Sequence, residues 1–260
     1  MLMRVGILFA CAAGAAGAAA AASSVAVPAY IAAAVADASR PDSDRQRDVN
    51  RKPEQVLAFA GVKPGDQVGE LIPGRGYFTK IFCKIVGDRG HVYAVGVTPA
   101  ARAGGPPPPD MPNAPPSNAS TGGGTPCTNV TSSSAPAAEF KLPAGLDLVW
   151  TSENYHDLNN AMFGAPDMTV FNKTIYDALK PGGVYIVEDH AAAAGSGTRD
   201  TNTLHRIDPA VVIPAVTGVG FKLEARSDVL ANPEDTHTDA VFKLNGKSDK
   251  FLLKFRKPSK

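Results

Sequence analysis

Two short stretches carry most of the side chains able to do chemistry. Residues 68–79, VGELIPGRGYFT, hold one acid, Glu70, in an apolar run that breaks at Gly74-Arg75-Gly76 and resumes at Tyr77. Glycines just after a strand let the backbone approach a ligand closely and take unusual dihedrals. The next helix offers unpaired N–H groups and a partial positive charge, and an acid at the strand end can hold an ammonium or a hydroxyl. This is the outline of a strand–turn–helix nucleotide or cofactor loop, with Ile72 where its first glycine belongs. A β-branched residue resists positive φ there and can crowd a ligand. The second stretch is Asn154-Tyr155-His156-Asp157. His156 titrates near neutrality and suits a general base; Tyr155 can cover a ring, and Asn154 can hydrogen-bond an amine. The competing reading makes this segment a helix cap, with Asp157 as the local cap. Asp189-His190 and His205-Arg206-x-Asp208 add groups, Arg206 and Asp208 either closing over the site or forming a plain ion pair. Histidines and acids are irregularly spaced and no Cys/His pattern resembles a zinc site, so no metal is expected.

The surrounding pattern says which elements must position these groups. Apolar helical spacing marks helices at 28–38, 54–62, 76–86, 168–179 and 209–216. Buried-type strands are expected at 67–72, 91–97, 146–151 and 184–187, a weak one at 128–132, and a late pair at 221–227 and 250–255. Lys180-Pro181-Gly182-Gly183 reads as a turn. Strands alternating with helices predict an α/β fold with a Rossmann-like, doubly wound, mostly parallel sheet. The late pair, joined without a clear helix, predicts an antiparallel C-terminal edge strand. Ligands of such sheets sit beyond the C-terminal strand ends, which is where Glu70, Asn154, His156 and His190 fall.

The bulk numbers exclude more than they assign. A net charge of +1 and 7% aromatic residues give no electrostatic or stacking case for nucleic acid. Residues 1–22 join a single early arginine to an Ala/Gly-rich apolar run ending Ala20-Ala21-Ala22, the pattern of a secretory signal peptide. Export to a bacterial periplasm is expected, with no stable membrane span after signal removal. Residues 23–53 form a helical, polar lead-in whose charged part, from Asp44 to Pro53, is either a packed or a solvated face. Residues 54–260 form the main domain, interrupted at 98–126 by a disordered Pro/Gly-rich insertion containing PPPP and GGG. In an oxidising compartment Cys83 and Cys127 can pair, but unpaired thiols are the favoured reading.

In order and wording, these motifs resemble class I S-adenosylmethionine-dependent methyltransferases. More narrowly they resemble the exported bacterial proteins called "predicted methyltransferases". The carriers are VGELIPGRGYFT, DLVWTSENYHDL, ALKPGGVYIVEDHAA, TLHRID and FLLKFRKP. The resemblance implies S-adenosylmethionine as cofactor, held by Glu70, Gly74, Gly76, Tyr77 and Asn154. His156, Tyr155 and His190 become the catalytic candidates, acting on a small-molecule substrate that the sequence does not name. Departures are Ile72 and Gly96, the latter where the family ends its second strand with a ribose-binding acid; only serines stand in 132–138, where a polar residue near adenine is expected. The competing function is a non-catalytic exported binding protein reusing the fold through Asn154, His156, His190 and Arg206.

Overall fold

The computed structural model describes residues 26–98, 127–160 and 163–259. The signal segment 1–22 and all of the insertion 98–126 except Thr98 lie outside the described residues. Four helices precede the sheet: α1 (Ala29–Val35), α2 (Asp42–Arg45), α3 (Asp48–Arg51) and α4 (Pro53–Ala60). Then come β1 (Gln67–Leu71), α5 (Tyr77–Val86), β2 (His91–Thr98), β3 (Val130–Pro136), β4 (Leu146–Ser152) and α6 (Met168–Ala178). The chain continues through β5 (Leu179–His190), α7 (Pro209–Thr217), β6 (Lys222–Ser227) and β7 (Lys250–Arg256).

The seven strands form one sheet in the order β3-β2-β1-β4-β5-β7-β6. Strands β1 to β5 pair in parallel, and β7 runs antiparallel to both neighbours. The antiparallel strand expected from the late pair is therefore β7, seated between β5 and the edge strand β6. The alternation of side chains across the pleat explains the continuous apolar runs. In β4, Leu148 and Trp150 enter the core layer with α1, α4 and α5, whereas Val149 enters the layer with α6 and α7.

Three local expectations change. The predicted turn at Lys180–Gly183 belongs to β5, because Gly182 and Gly183 exchange backbone hydrogen bonds with Lys257 beyond β7. The third strand lies later than 128–132, and its three serines are strand residues held by parallel pairing with β2 despite weak β propensity. Cys83 of α5 and Cys127 form a disulfide, with Cα atoms 6.1 Å apart, which corrects the expectation of free thiols. Their spacing could not show this, since the approach depends on how β3 docks beside α5: Asn129 donates to the carbonyls of Cys83 and Gly87. No described helix is long and apolar enough to cross a membrane.

The disulfide closes a loop with a sequence separation of 44 that contains the Pro/Gly-rich insertion. Loop-closure entropy then sets an expected loss of about 2–4 kcal/mol for C127S. Chemical denaturation of the oxidised wild type beside C127S measures it; coincident midpoints would show that the bond does not stabilise the fold.

Candidate functional site

The strand order reverses between β1 and β4, and a cleft opens there at their C-terminal ends. It measures about 140 Å³ and is lined among others by Glu70, Ile72, Gly74, Tyr77, Trp150 and Asn154. An engineered cavity of about 150 Å³ holds one benzene ring, so the described walls accommodate one end of a cofactor rather than all of it. Trp150 is fully buried between Phe78 and Phe82, and its Nε1 has no hydrogen-bond partner among the described residues.

The loop leaving β1 follows a glycine path. Gly74 and Gly76 have φ of 55° and 74°, and Ile72 has φ of 49°. The β-branched side chain therefore has not kept the backbone out of the left-handed region. Ile72 N–H donates to the Val95 carbonyl at 2.8 Å, and the Asn154 amide donates to the Ile72 carbonyl at 3.1 Å and the Leu71 carbonyl at 3.3 Å. The side chain packs against the core layer that contains Leu71 and Val95. Gly76 then starts α5 and, having no side chain, does not cap it, while Glu70 takes both the hydroxyl and the backbone N–H of Thr79 in the first turn.

Glu70 is 2% exposed and accepts a hydrogen bond from Thr79 Oγ1 at 2.5 Å. Burial raises its pKa to about 7, against the opposing pull of Thr79 and Arg51. Tyr77 is buried beneath arginines of the lead-in: Arg51, Arg47 and Arg40 lie 4.6, 5.1 and 5.4 Å from its ring centre. Its hydroxyl donates to Asp48, which also receives a bidentate bond from Arg40. Lys80 pairs with the buried Asp44 at 2.8 Å. Within the run from Asp44 to Arg51, Asp44 and Arg51 are buried and Asp48 is partly buried, Arg47 and Arg51 line the cleft, and Arg45, Gln46, Arg47 and Val49 are exposed, so one side is packed and the other solvated. Arg51 pairs with Glu153, whose φ is 58°. Burial pushes the Glu153 carboxyl up, but Arg51 and other cations more than offset this and hold it well below its ordinary range. Burial and then Glu153 push the carboxyl of Glu188 up instead.

The other predicted residues divide. Asn154 lines the cleft, but its amide donors are engaged by the carbonyls of Leu71, Ile72 and Ser152, so it positions the loop. Tyr155 is 1% exposed, lies in the core layer and accepts a hydrogen bond from Asn172. This corrects its reading as a catalytic residue facing the crevice. His190 hydrogen-bonds Ser248 through Nδ1 at 2.7 Å, and burial lowers its pKa to about 4; a catalytic role at the cleft is corrected for it as well. His156 is 2% exposed, and its Nδ1 and backbone N–H are both bonded to Asp189, at 2.8 and 2.6 Å. Burial disfavours a charge on this ring, but Asp189 and Asp157 outweigh it and raise the pKa to about 10. The ring is buried and is not among the residues that line the cleft, so the structure does not bring it there as a general base. Arg206 is fully buried against Asp235 and does not pair with Asp208, which caps α7 by accepting from the Ala210 N–H. Gly96 lies inside β2 opposite Ser134 and brings no acid to the cleft. The sequence reading singled out the charged lead-in that contains Arg51 but did not pick out Arg47 or Glu153, which also line the cleft.

Glu70 predicts a pH dependence of stability. Its folded pKa of about 7 exceeds the unfolded 4.5, so the folded chain holds the proton more tightly. Its contribution is complete below pH 4.5 and is lost as the pH rises through about 7. Glu70→Gln removes that loss. Between pH 4.5 and 8 the stability difference should move in favour of the variant by up to ~3 kcal/mol. Urea unfolding at both pH values reads it, and parallel wild-type and variant profiles would refute the assignment.

No family model matches the chain, and no curated protein matches it. Solved structures do. A SAM-dependent methyltransferase from Aquifex aeolicus superposes with a TM-score of 0.55 at 17% identity, over 84% of this chain and 98% of that one. An S-adenosylmethionine-dependent methyltransferase from Mesorhizobium loti gives 0.53 at 17%, over 81% and 99%. The cyclase SpnF gives 0.53 at 15%, over 84% and 82%. At such identities the likeness concerns architecture: the chain has the Rossmann-like fold that these methyltransferases share.

Proposed function

We propose that this protein binds S-adenosylmethionine and transfers its methyl group to a small-molecule acceptor. The observation that carries the reading is Ile72 at φ 49°, which keeps the glycine-type path of the loop although the glycine is gone. The cleft also suits the methionine end of that cofactor. Glu70 offers a carboxylate to an ammonium, while Arg47 and the uncapped N-terminus of α5 offer positive charge to a carboxylate. Gly74 and Tyr77 complete the wall. When bound, the cofactor supplies an electrophilic methyl group, and in-line positioning does most of the remaining work. The chain's own contribution is to hold that geometry: Asn154 fixes the loop, and the arginines brace the Tyr77 ring.

We further propose export to the periplasm, as in the "predicted methyltransferase" proteins. The signal-like residues 1–22 support it, and so does the Cys83–Cys127 disulfide, since such bonds persist in oxidising compartments. The competing binding-protein reading loses support, because Arg206 and His190 of its residue set are engaged inside the fold.

Titration calorimetry of the purified chain with S-adenosylmethionine tests the reading. Binding is expected, strengthening roughly tenfold per pH unit from pH 5 to about 7 as Glu70 ionises, with Glu70→Gln losing that slope. Arg47→Ala should weaken binding roughly tenfold or more, the worth of a charge-assisted hydrogen bond, beyond a stability loss of about 0.5–1 kcal/mol from its contact with the Tyr77 ring. Absence of binding at millimolar cofactor would sink the proposal.

A further inference from the structure

We propose that His156, Asp157 and His205 form a binding site for one divalent transition-metal ion, zinc or a close equivalent, beside the cleft. Their ligating atoms meet in a small triangle. His156 Nε2 lies 3.3 Å from His205 Nδ1 and 3.3 Å from Asp157 Oδ1, and the third side, His205 Nδ1 to Asp157 Oδ1, is 3.5 Å. Bonds of roughly 2.0–2.1 Å to a tetrahedral ion give ligand–ligand edges of about 3.3–3.4 Å. The triangle thus matches one face of a zinc tetrahedron without rearrangement. Two imidazoles and one carboxylate are also a donor set that suits zinc and its neighbours.

Two further observations show that the triangle is built. Asp189, fully buried, accepts from the Nδ1 and the backbone N–H of His156 and from the His190 N–H at 2.7 Å. Metal-bound histidines are held in this way, with a carboxylate on the far ring nitrogen that fixes the tautomer and aims the other nitrogen at the ion. His205, 49 residues away, reaches the triangle with φ of 54°, a strained value for a residue other than glycine. A fully protein-closed site is not formed. The side chains of Asp157 and His205 are 21% and 29% exposed, against 3% for His156. That leaves room for a fourth ligand, water or an oxygen or nitrogen donor, as in metal sites that do chemistry. Asp157 also lines the cleft, so the ion would border the space a ligand occupies. Ligation needs neutral imidazoles, so the ion takes the place of a proton.

The sequence spacing of the three ligands is irregular because the third arrives from the segment between β5 and α7. The inference does not depend on methyl transfer. The test uses the full chain, stripped with a chelator, dialysed, and titrated with Zn²⁺ or Co²⁺. One ion per chain is expected, with the visible absorption of a tetrahedral Co²⁺ centre. His205→Ala and Asp157→Asn should each weaken binding at least tenfold, and Asp189→Asn roughly 10- to 100-fold through the histidine it holds. His237→Ala, whose ring pairs with Asp249 elsewhere, should bind as wild type does. Circular dichroism of the stripped variants separates lost ligands from lost fold. Failure of the wild type to take up either ion, or wild-type affinity in folded His205→Ala and Asp157→Asn, would overturn the proposal. Cofactor binding is measured separately, so metal uptake without cofactor binding refutes the functional reading and leaves this one standing.

Discussion

The cleft depends on one buried guanidinium. Arg51 ends α3, is 7% exposed, and reaches Glu153 across 102 residues of chain. It also contacts Ser152 and lies against the rings of Tyr77 and Phe78. These contacts tie the lead-in helix, the start of α5 and the end of β4 into one unit. Removing one partner of such a pair leaves an uncompensated buried charge, typically costing about 3–5 kcal/mol. Glu153 answers the guanidinium only because its backbone turns into the left-handed region just after β4. The conformation that costs energy at that residue is therefore the one that aims its carboxylate.

A second constraint of the same kind operates at Ile72. A left-handed residue other than glycine costs roughly 1–2 kcal/mol. It persists when the surroundings over-determine it, and here they do. The N–H is fixed by Val95, the carbonyl by Asn154, and the side chain by the core layer below. A glycine needs no such help. The isoleucine is accommodated with Asn154 acting as a brace between the end of β1 and the end of β4. This explains how the loop keeps its course while the residue types that usually mark it have changed.

Elements with strong periodicity were legible in the sequence: β1, α5, β4, α6 and the late strand pair stand where their apolar spacing put them. Residues 132–134 misled because serine carries little strand signal, and Gly182-Gly183 misled because a turn signature was recruited into β5 by pairing near Lys257. At the site, the loop glycines and Glu70 were readable since local chemistry defines them. Tyr155 and His190 were placed near the right strand ends, but depth depends on what packs over them, here Asn172 and Ser248. Arg51–Glu153 could not be read, and the Cys83–Cys127 pairing could not be decided, for one shared reason. Each joins segments distant in sequence, and only the completed sheet fixes how near they come.

The charges around the cleft are not mixed at random. Arg47 and Arg51 come from the lead-in side, Arg75 from the loop after β1, and Glu70, Glu153 and Asp157 from the strand ends, with Arg51 already paired to Glu153. On the proposed function, a zwitterion entering this space would set its carboxylate toward Arg47 and the helix N-terminus and its ammonium toward Glu70. Reversing it would bring like charges together at both ends. Asp157 lies in that wall and also in the histidine cluster, so its single carboxylate faces two demands. Its Oδ1 stands 3.3 Å from His156 Nε2 and 3.5 Å from His205 Nδ1. With that oxygen committed to the cluster, Glu70 is the acid best placed to meet a cation in the cleft. On that proposal, the orientation of a bound amino-acid group rests on Glu70 at the end of β1 and Arg47 on the lead-in.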